Sequence, residues 1–341
     1  MKDFFQIQKI LVPEILQEME LRYDILKEIE MCEVIGRRSL AQKLDLSERV
    51  VRAEIDFLKE AKLIEVFSHG MSLSPSGEEL LEATQPYISK IRGLHHLEKK
   101  LQACLGIKKV LISLTFPDED SNLNELGRTA ARHIVQSLKQ CSILGITGGS
   151  TMYHVAQAMK IQPKPSQVMV VSARGSLRSN YETQASNVVA IVAEKLKSSY
   201  ELLQLPDNID REIADELLKE TSLEKTLQVI DNIDCLVFGI GNADDMAKRR
   251  NLSQEQRDLL SERKAVAESF GFYFNLSGEI VYESSTLGIK LSKYKQMSNI
   301  IGVAAGKRKV EAIRAISGIN PNLTLITDSD TANRILETGK E

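Results

Sequence analysis

The segment Ile143-Leu144-Gly145-Ile146-Thr147-Gly148-Gly149-Ser150-Thr151 carries the clearest chemistry in the chain. An apolar run fit for a buried strand ends in Thr-Gly-Gly-Ser-Thr, and a helix is expected to open at about Met152. Glycines there let the backbone approach an anion closely. Free N–H groups and the helix dipole then favour a phosphate. Ser150 and Thr151 add hydroxyl donors. The spacing is neither GxxxxGK[ST] nor GxGxxG, so a nucleotide-type loop is not indicated. A tight strand-to-helix turn without a ligand is the plainer reading of the same residues.

Other strand ends carry matching chemistry. Val168–Ser172 leads to Ala173-Arg174-Gly175, Cys235–Ile240 to Gly241-Asn242, and Ile301–Ala305 to Gly306-Lys307-Arg308-Lys309. Arg249-Arg250 is a further cationic pair. Cations and glycine turns at the carboxyl ends of strands suit an anion with more than one phosphate. For Lys307 and Arg308 a solvated surface is the favoured reading.

These residues need a scaffold, and residues 106–341 supply the pattern for one. Strands are expected at Val110–Leu114, Ile143–Thr147, Val168–Ser172, Leu202–Leu205, Cys235–Ile240, Ile301–Ala305 and Leu323–Thr327. Most are continuous apolar runs, as in parallel strands buried on both faces. Helical stretches alternate with them, for example Glu125–Lys139, Ala185–Lys197, Lys307–Ile316 and Ser329–Leu336. That alternation implies a doubly wound, Rossmann-type α/β domain. Gly271–Tyr282 stands apart as a hairpin with Ser277-Gly278 near its turn.

Residues 1–75 have a different texture and fit a winged helix-turn-helix. A first helix near Leu21–Met31 is followed by Ser39 and Gln42 at capping-box spacing, which predicts a short helix over Leu40–Leu44. Asp45-Leu46 makes the turn, and Ser47 caps a third helix running to about Ala61. Val51, Ile55 and Leu58 face inward at helical spacing. Glu48, Arg49 and Arg52 lie outward near the N-terminus, where a recognition helix meets bases. Leu63–Leu73 alternates around His69-Gly70 and reads as a wing. Residues 1–75 hold 11 basic and 14 acidic residues, but 36–52 hold five basic against two acidic. The local excess, from Arg37, Arg38, Lys43, Arg49 and Arg52, falls on the elements that would meet DNA phosphates. A helical interaction module with a solvated charged face would share this pattern.

Ahead of it Phe4, Phe5, Ile7, Ile10, Leu11, Ile15 and Leu16 form an apolar stripe, bent at Pro13. Packing within the domain and a dimer contact both fit it. Residues 76–105 read as a linker helix, with Pro75 at its first position and Pro86 and Gly93 as breaks. Its spaced Leu80, Leu81, Tyr87, Ile88, Ile91, Leu94 and Leu97 could dimerise. His95 and His96 point apart on a helix and make poor ligands to one metal.

Composition narrows the classes. With 43% hydrophobic and 27% charged residues among 341, the chain is ordinary globular sequence, not disordered or collagen-like. No apolar run is long enough for a membrane span, and the acidic first twenty residues are not expected to form a secretory signal. Four scattered cysteines, Cys32, Cys104, Cys141 and Cys235, offer no CxxC; no disulfide or metal framework is expected, and a reducing cytoplasm is. The net charge of −3 confines any nucleic-acid function to local patches.

Several segments, in order along nearly the whole chain, resemble one family. They are IGRRSLAQKLDLSERVVRAEIDFLKE, SHGMSLSPSGEELL, ITGGST, SARGSL, GIGNADDMAKRRN, AVAESFGFYFNLSGE and AAGKRKVEAI. Winged helix-turn-helix, linker and sugar-phosphate-isomerase-like domain form the arrangement of the SorC family of bacterial transcriptional regulators. The resemblance implies a cytoplasmic repressor of glycolytic genes that binds double-stranded operator DNA through Arg37, Arg38, Ser39, Ser47, Glu48, Arg49 and Arg52. It implies a homodimer or homotetramer without cofactor or metal, released by a sugar phosphate such as fructose 1,6-bisphosphate. Gly148, Gly149, Ser150 and Thr151, with Lys309, would take one phosphate. Arg174, Gln184 and Arg250 would meet the other, and Glu268 would accept from sugar hydroxyls. Two positions depart from the family pattern: Ser150 stands for a threonine, and Ala305 for a glycine before Gly306.

The competing class is a sugar-phosphate isomerase or deaminase with a nucleic-acid-binding module. Such deaminases show Asp-Gly-His after Gly-x-Gly, whereas Asn242-Ala243-Asp244 follows Gly241 here. Asp244 and Glu268 are the carboxylates an isomerase would need. The arginine-bearing loop after Ser172 and the DNA-binding module favour a sensor without catalysis.

Overall fold

The computed structural model describes residues 4–116, 118–175, 180–205, 221–284 and 287–338. The chain divides into two compact units, 1–95 and 96–341.

In the first unit, α1 (Phe4–Leu11) stops before Pro13, which opens α2 (Pro13–Cys32) at its first turn, where a missing N–H costs nothing. Helices α3 (Arg37–Lys43) and α4 (Glu48–Glu60) form the helix-turn-helix, with Asp45 in the left-handed region at the turn. Strands β1 (Ile64–Phe67) and β2 (Gly70–Leu73) pair antiparallel as the wing. Val51, Ile55 and Leu58 are buried, as their spacing predicts.

Three local expectations need correction. Helix α3 starts at Arg37, capped by the extended Gly36, so Ser39 lies inside it and caps nothing. The cause is the wing: Ile35 and Met71 exchange backbone hydrogen bonds of 3.1 and 2.9 Å, which holds the chain extended up to Gly36. Next, α5 (Pro75–Ile91) runs through Pro86 without a break. It packs on α2, and Arg92 after its end bonds Asp24 and Glu20 at 2.7 and 3.0 Å, so this helix belongs to the first unit. Lastly, the boundary between the units falls at His95–His96, inside the span read as a linker. Ile7, Ile10, Leu11 and Ile15 are exposed, whereas Leu16 is buried.

After α6 (Leu94–Leu105) the second unit builds seven parallel strands: β3 (Lys109–Ser113), β4 (Ile143–Ile146), β5 (Met169–Ser172), β6 (Tyr200–Glu201), β7 (Cys235–Gly239), β12 (Ile300–Val303) and β13 (Leu323–Asp328). Their order is β3-β13-β12-β7-β4-β5-β6. Every residue of β12 and β13 is buried; β12 accordingly reads as an unbroken apolar run, whereas β13 carries Thr324, Thr327 and Asp328 among its apolar residues. The strand expected at Leu202–Leu205 sits earlier, because Lys197 turns left-handed and frees Tyr200 and Glu201 to pair with Val170 and Val171. From β4 the chain winds outward through β5 to β6; β7, β12 and β13 lie on the other side. The β4–β7 boundary is therefore a switch point, where open α/β sheets bind ligands at their carboxyl ends.

Helix α7 (Glu119–Ser137) packs on β3, β12 and β13, α8 (Ser150–Ala158) on β7 and α9 (Ala185–Leu196) on β4 and β5, with α10 (Thr221–Asp231) before β7. A second sheet orders β11 (Ile280–Glu283), β10 (Phe272–Phe274), β9 (Ala267–Ser269) and β8 (Gly241–Asn242). The expected hairpin is β10–β11, with Gly278 at φ +77° in its turn. Helices α11 (Ala243–Arg249) and α12 (Gln254–Glu262) connect β8 to β9, and α13 (Leu291–Gln296) precedes β12. A short 3-10 turn (Lys307–Lys309) leads into α14 (Val310–Ser317), and α15 (Ser329–Thr338) follows β13.

Candidate anion pocket and nucleic-acid interface

A cavity of about 950 Å³ opens at the carboxyl ends of β4, β5, β7 and β12. Its first wall is the turn after β4. Thr147 donates its amide to Val237 O at 3.1 Å. A Cβ on Gly148 would stand 2.7 Å from Ala185 N and 2.8 Å from Thr183 O, so only glycine lets this turn lie against the start of α9. Gly149 adopts φ +117°, a conformation that disfavours any side chain. Its amide already donates to Thr183 O at 2.8 Å. The amides that face a ligand are then those of the first turn of α8, at Ser150, Thr151 and Met152, which lack intrahelical partners. Ser150 and Thr151 both line the cavity.

The turn after β12 has a similar shape. Gly306 sits at φ +110° before the 3-10 turn, and Lys309 N bonds back to Gly306 O at 2.8 Å. Ala305 is half-buried and lines the cavity, so alanine supports this turn without the expected glycine. Lys309 reaches inward and donates Nζ to Ile240 O at 2.7 Å. Burial, aided by the Arg249 charge, pulls its pKa down to about 8 against the opposing pull of Asp245 and Glu268.

Arg174 and Arg250 are buried, and both donate to one carboxylate oxygen. Arg250 Nη2 lies 2.8 Å and Arg174 Nη1 3.2 Å from Glu268 Oε1, which also accepts from Gly271 N at 2.8 Å. Burial alone would raise the Glu268 carboxyl; the Arg250 and Arg174 charges and the Gly271 amide hold it below the usual carboxylate range. Three donors occupy Oε1, so Glu268 is first a clamp on the two arginines. Gly288 makes the clamp possible: a Cβ there would lie 2.5 Å from Ala173 O, against the bridge it forms with Arg174.

The structure brings Gly148, Gly149, Ser150, Thr151, Arg174, Arg250, Glu268 and Lys309 to one cavity. Gln184 caps α9 between two lining residues, Thr183 and Ala185, without lining it itself. Residues missed from sequence also contribute: Phe116, Glu119, Asn122 and Leu123 on one wall, Asp245 and Lys248 on another. The loop after β3 is a strand end like the others, and that rule would have found the first group. Seven cations and three carboxylates line the cavity, an excess of four positive charges.

This arrangement is poor for aldose–ketose chemistry. A general base needs a pKa near working pH, whereas Glu268 is held low between guanidiniums. Asp245 pairs with Arg308 at 2.9 Å, and Asp244 does not line the cavity. Among the described residues no group of three or more His, Cys, Asp or Glu could hold a metal.

In the first unit Arg37, Arg38, Ser39, Ser47, Glu48, Arg49 and Arg52 are all exposed. Ser47 Oγ accepts from Val50 N at 3.3 Å and caps α4, as expected. Arg49 and Arg52 stand on its outer face. Lys43 differs from the other cations of this stretch: it bonds Glu28 at 2.7 Å and Cys32 Sγ at 3.3 Å, so it ties α3 to α2. At the wing tip Phe67 and His69 stack with centroids 5.5 Å apart. No helix among the described residues is long and apolar enough to cross a membrane.

Two family models match the chain: "CggR N-terminal DNA binding domain" over residues 18–88 and "Putative sugar-binding domain" over residues 89–337. The central glycolytic genes regulators of Bacillus subtilis (strain 168) and Priestia megaterium (strain DSM 319 / IMG 1521) are each 36% identical to it, across 98% of this chain and 99% of theirs. A solved Enterococcus faecalis chain assigned to the SorC family transcriptional regulators is 31% identical, covers 71% of this chain and 100% of its own, and superposes with a TM-score of 0.65. The full-length sorbitol operon regulator SorC of Klebsiella pneumoniae shares the fold, at 18% identity, 94% and 99% coverage and a TM-score of 0.67. Fold, cavity and relatives define a DNA-binding transcriptional regulator with a sugar-binding domain, not an enzyme. The chain belongs to the SorC family, in the group of the central glycolytic genes regulators.

Proposed function

We propose that this regulator represses glycolytic genes and is released from operator DNA by fructose 1,6-bisphosphate. The observation that supports the reading is a cavity with four surplus positive charges and two corners suited to an anion. One corner is the Gly148–Thr151 turn with Lys309. The other is the Arg174–Arg250 pair, held at the cavity by Glu268. A hexose bisphosphate has two phosphates of nearly two charges each at neutral pH. On this reading Gln184 stands beside the second phosphate, and the Glu268 oxygen not engaged by the arginines accepts from the sugar. No cofactor takes part.

Ser47–Arg52 enters the major groove, and Arg37 and Arg38 hold phosphates. The chain works as a homodimer or homotetramer, which binds repeated operator sites together. The effector prefers one arrangement of the oligomer, and its coupling cannot exceed that difference in affinity.

A thermal-shift titration with a panel of sugar phosphates tests this. At 100 times its Kd a ligand stabilises by about 2.7 kcal/mol. Fructose 1,6-bisphosphate is expected to raise the midpoint more than any monophosphate. Thr151→Val removes the response, and Arg174→Ala weakens the bisphosphate more than a monophosphate. Equal losses for both ligands in Arg174→Ala would discard the second phosphate corner.

A further inference from the structure

Behind the Gly306–Lys309 turn lies a chain of buried polar contacts that the pocket alone does not explain. Gly306 N donates to Thr331 Oγ1 at 2.7 Å. Thr331 N in turn donates to Asp328 Oδ1 at 2.7 Å, and Asn122 Nδ2 donates to Asp328 Oδ2 at 2.6 Å. Thr331 is wholly buried and Asp328 nearly so. Neither lines the cavity, whereas Gly306, Lys309 and Asn122 do. One carboxylate at the end of β13 thus links two cavity walls, the turn after β12 and the first turn of α7.

We propose that Thr331, seated by Asp328, is a positioning residue for the anion pocket: it holds the Gly306–Lys309 turn so that Lys309 projects into the cavity, and Asp328 fixes that turn relative to Asn122. The physical reason is specific. Gly306 lies at φ +110°, and its amide needs an acceptor to stay in that conformation. Thr331 Oγ1 is the acceptor. Lys309 stands three residues on, and its Nζ meets the Ile240 carbonyl only while the turn keeps this shape. The ligand expected in the pocket, a sugar phosphate, rests on the function proposed above.

The test uses the full chain and compares Thr331→Val with Thr331→Ser. Valine keeps the shape and removes the acceptor; serine restores it. Two readouts are made. One is affinity for fructose 1,6-bisphosphate by calorimetry. The other is the titration of Lys309 in the unliganded protein, followed by NMR of 13C-methylated lysines and assigned with Lys309→Arg. In the native chain Lys309 titrates among Arg249, Arg308, Asp245 and Glu268 beneath the Ile240 carbonyl. Thr331→Val is expected to bind about tenfold more weakly, the loss that follows an unsatisfied buried amide. Its Lys309 midpoint moves up toward ordinary lysine, while Thr331→Ser stays near wild type in both. A valine variant with native affinity and an unmoved Lys309 overturns the proposal. So does a loss shared equally by serine and valine with Lys309 unmoved, which would mark Thr331 as packing only. If the native chain binds no sugar phosphate, the effector reading fails, and the Lys309 titration still decides the positioning role.

Discussion

The two units use arginine in opposite ways. Arg38 on α3 leaves 89% of its side chain exposed and faces Glu48 at a loose 3.7 Å. Arg174 and Arg250 are each only 7% exposed and share Glu268 at 3.2 and 2.8 Å. An exposed arginine keeps its water until a DNA phosphate releases counterions around it, so its binding energy is earned at contact and depends on salt. A buried pair is desolvated in advance and held rigid by a carboxylate, which suits it to one small anion at a fixed place. On the proposed function, the same residue type would meet an extended polyanion in one unit and a small enclosed anion in the other.

The largest effect should come from breaking the buried pair. Glu268→Gln removes the carboxylate charge shared by two buried guanidiniums and is expected to cost about 3–5 kcal/mol. Urea unfolding followed by circular dichroism measures it. Glu48→Gln removes the partner of an exposed arginine and is expected to leave the midpoint in place, as for most surface pairs. Similar losses from both substitutions would erase the contrast.

The second effect concerns binding. Arg52→Ala is expected to weaken a duplex selected by this protein from a random pool by about 1–3 kcal/mol. The thermal response to sugar phosphates should be unchanged. Loss of both would show misfolding, and loss of neither would move the groove contact away from α4.

Much of this contrast was legible in the sequence, for reasons that differ by element. The β4 turn was readable because Gly148, Gly149, Ser150 and Thr151 are local: strand end, φ-permissive residues and helix start are contiguous. The helix caps show the limit. Ser47 caps α4 as its position suggests, whereas Ser39 fits the same rule and fails it, because the deciding contact comes from Met71, more than thirty residues away. Likewise Arg174, Arg250 and Glu268 could be placed at the cavity from strand ends and resemblance. Their convergence on one oxygen joins residues 94 and 18 positions from Glu268, which no spacing encodes. Lys43 adds to the basic count of its stretch, but Glu28 on α2 holds it.

A third measurement separates the units by pH. Lys309 has its pKa lowered to about 8. A bound phosphate would hold the proton on it and raise that value again. Affinity for fructose 1,6-bisphosphate is therefore expected to be full below pH 8 and to fall as pH rises through about 8, with a limiting slope of tenfold per unit. On the acid side the phosphates lose charge near their second pKa of about 6, so the optimum lies between. DNA affinity, if carried by the arginines of α3 and α4 as proposed, should not fall across the alkaline limb. A flat calorimetric profile from pH 7 to 9.5 would remove Lys309 from the ligand's contacts.

The smallest effect bears on how the DNA-reading unit is built. Ser47→Ala removes an N-cap that accepts from Val50 N and is expected to cost about 1 kcal/mol. Ser39→Ala should do the reverse. Ser39 stands in the interior of α3, exposed, where alanine is the better helix former by about 0.5 kcal/mol. Differential scanning calorimetry of the two variants decides between the two helix starts. If Ser39→Ala destabilised as much as Ser47→Ala, α3 would begin at Leu40, and Arg37 and Arg38 would leave its first turn. Because Arg37 and Arg38 are the exposed cations of that turn, this small difference also fixes where α3 presents its positive charge.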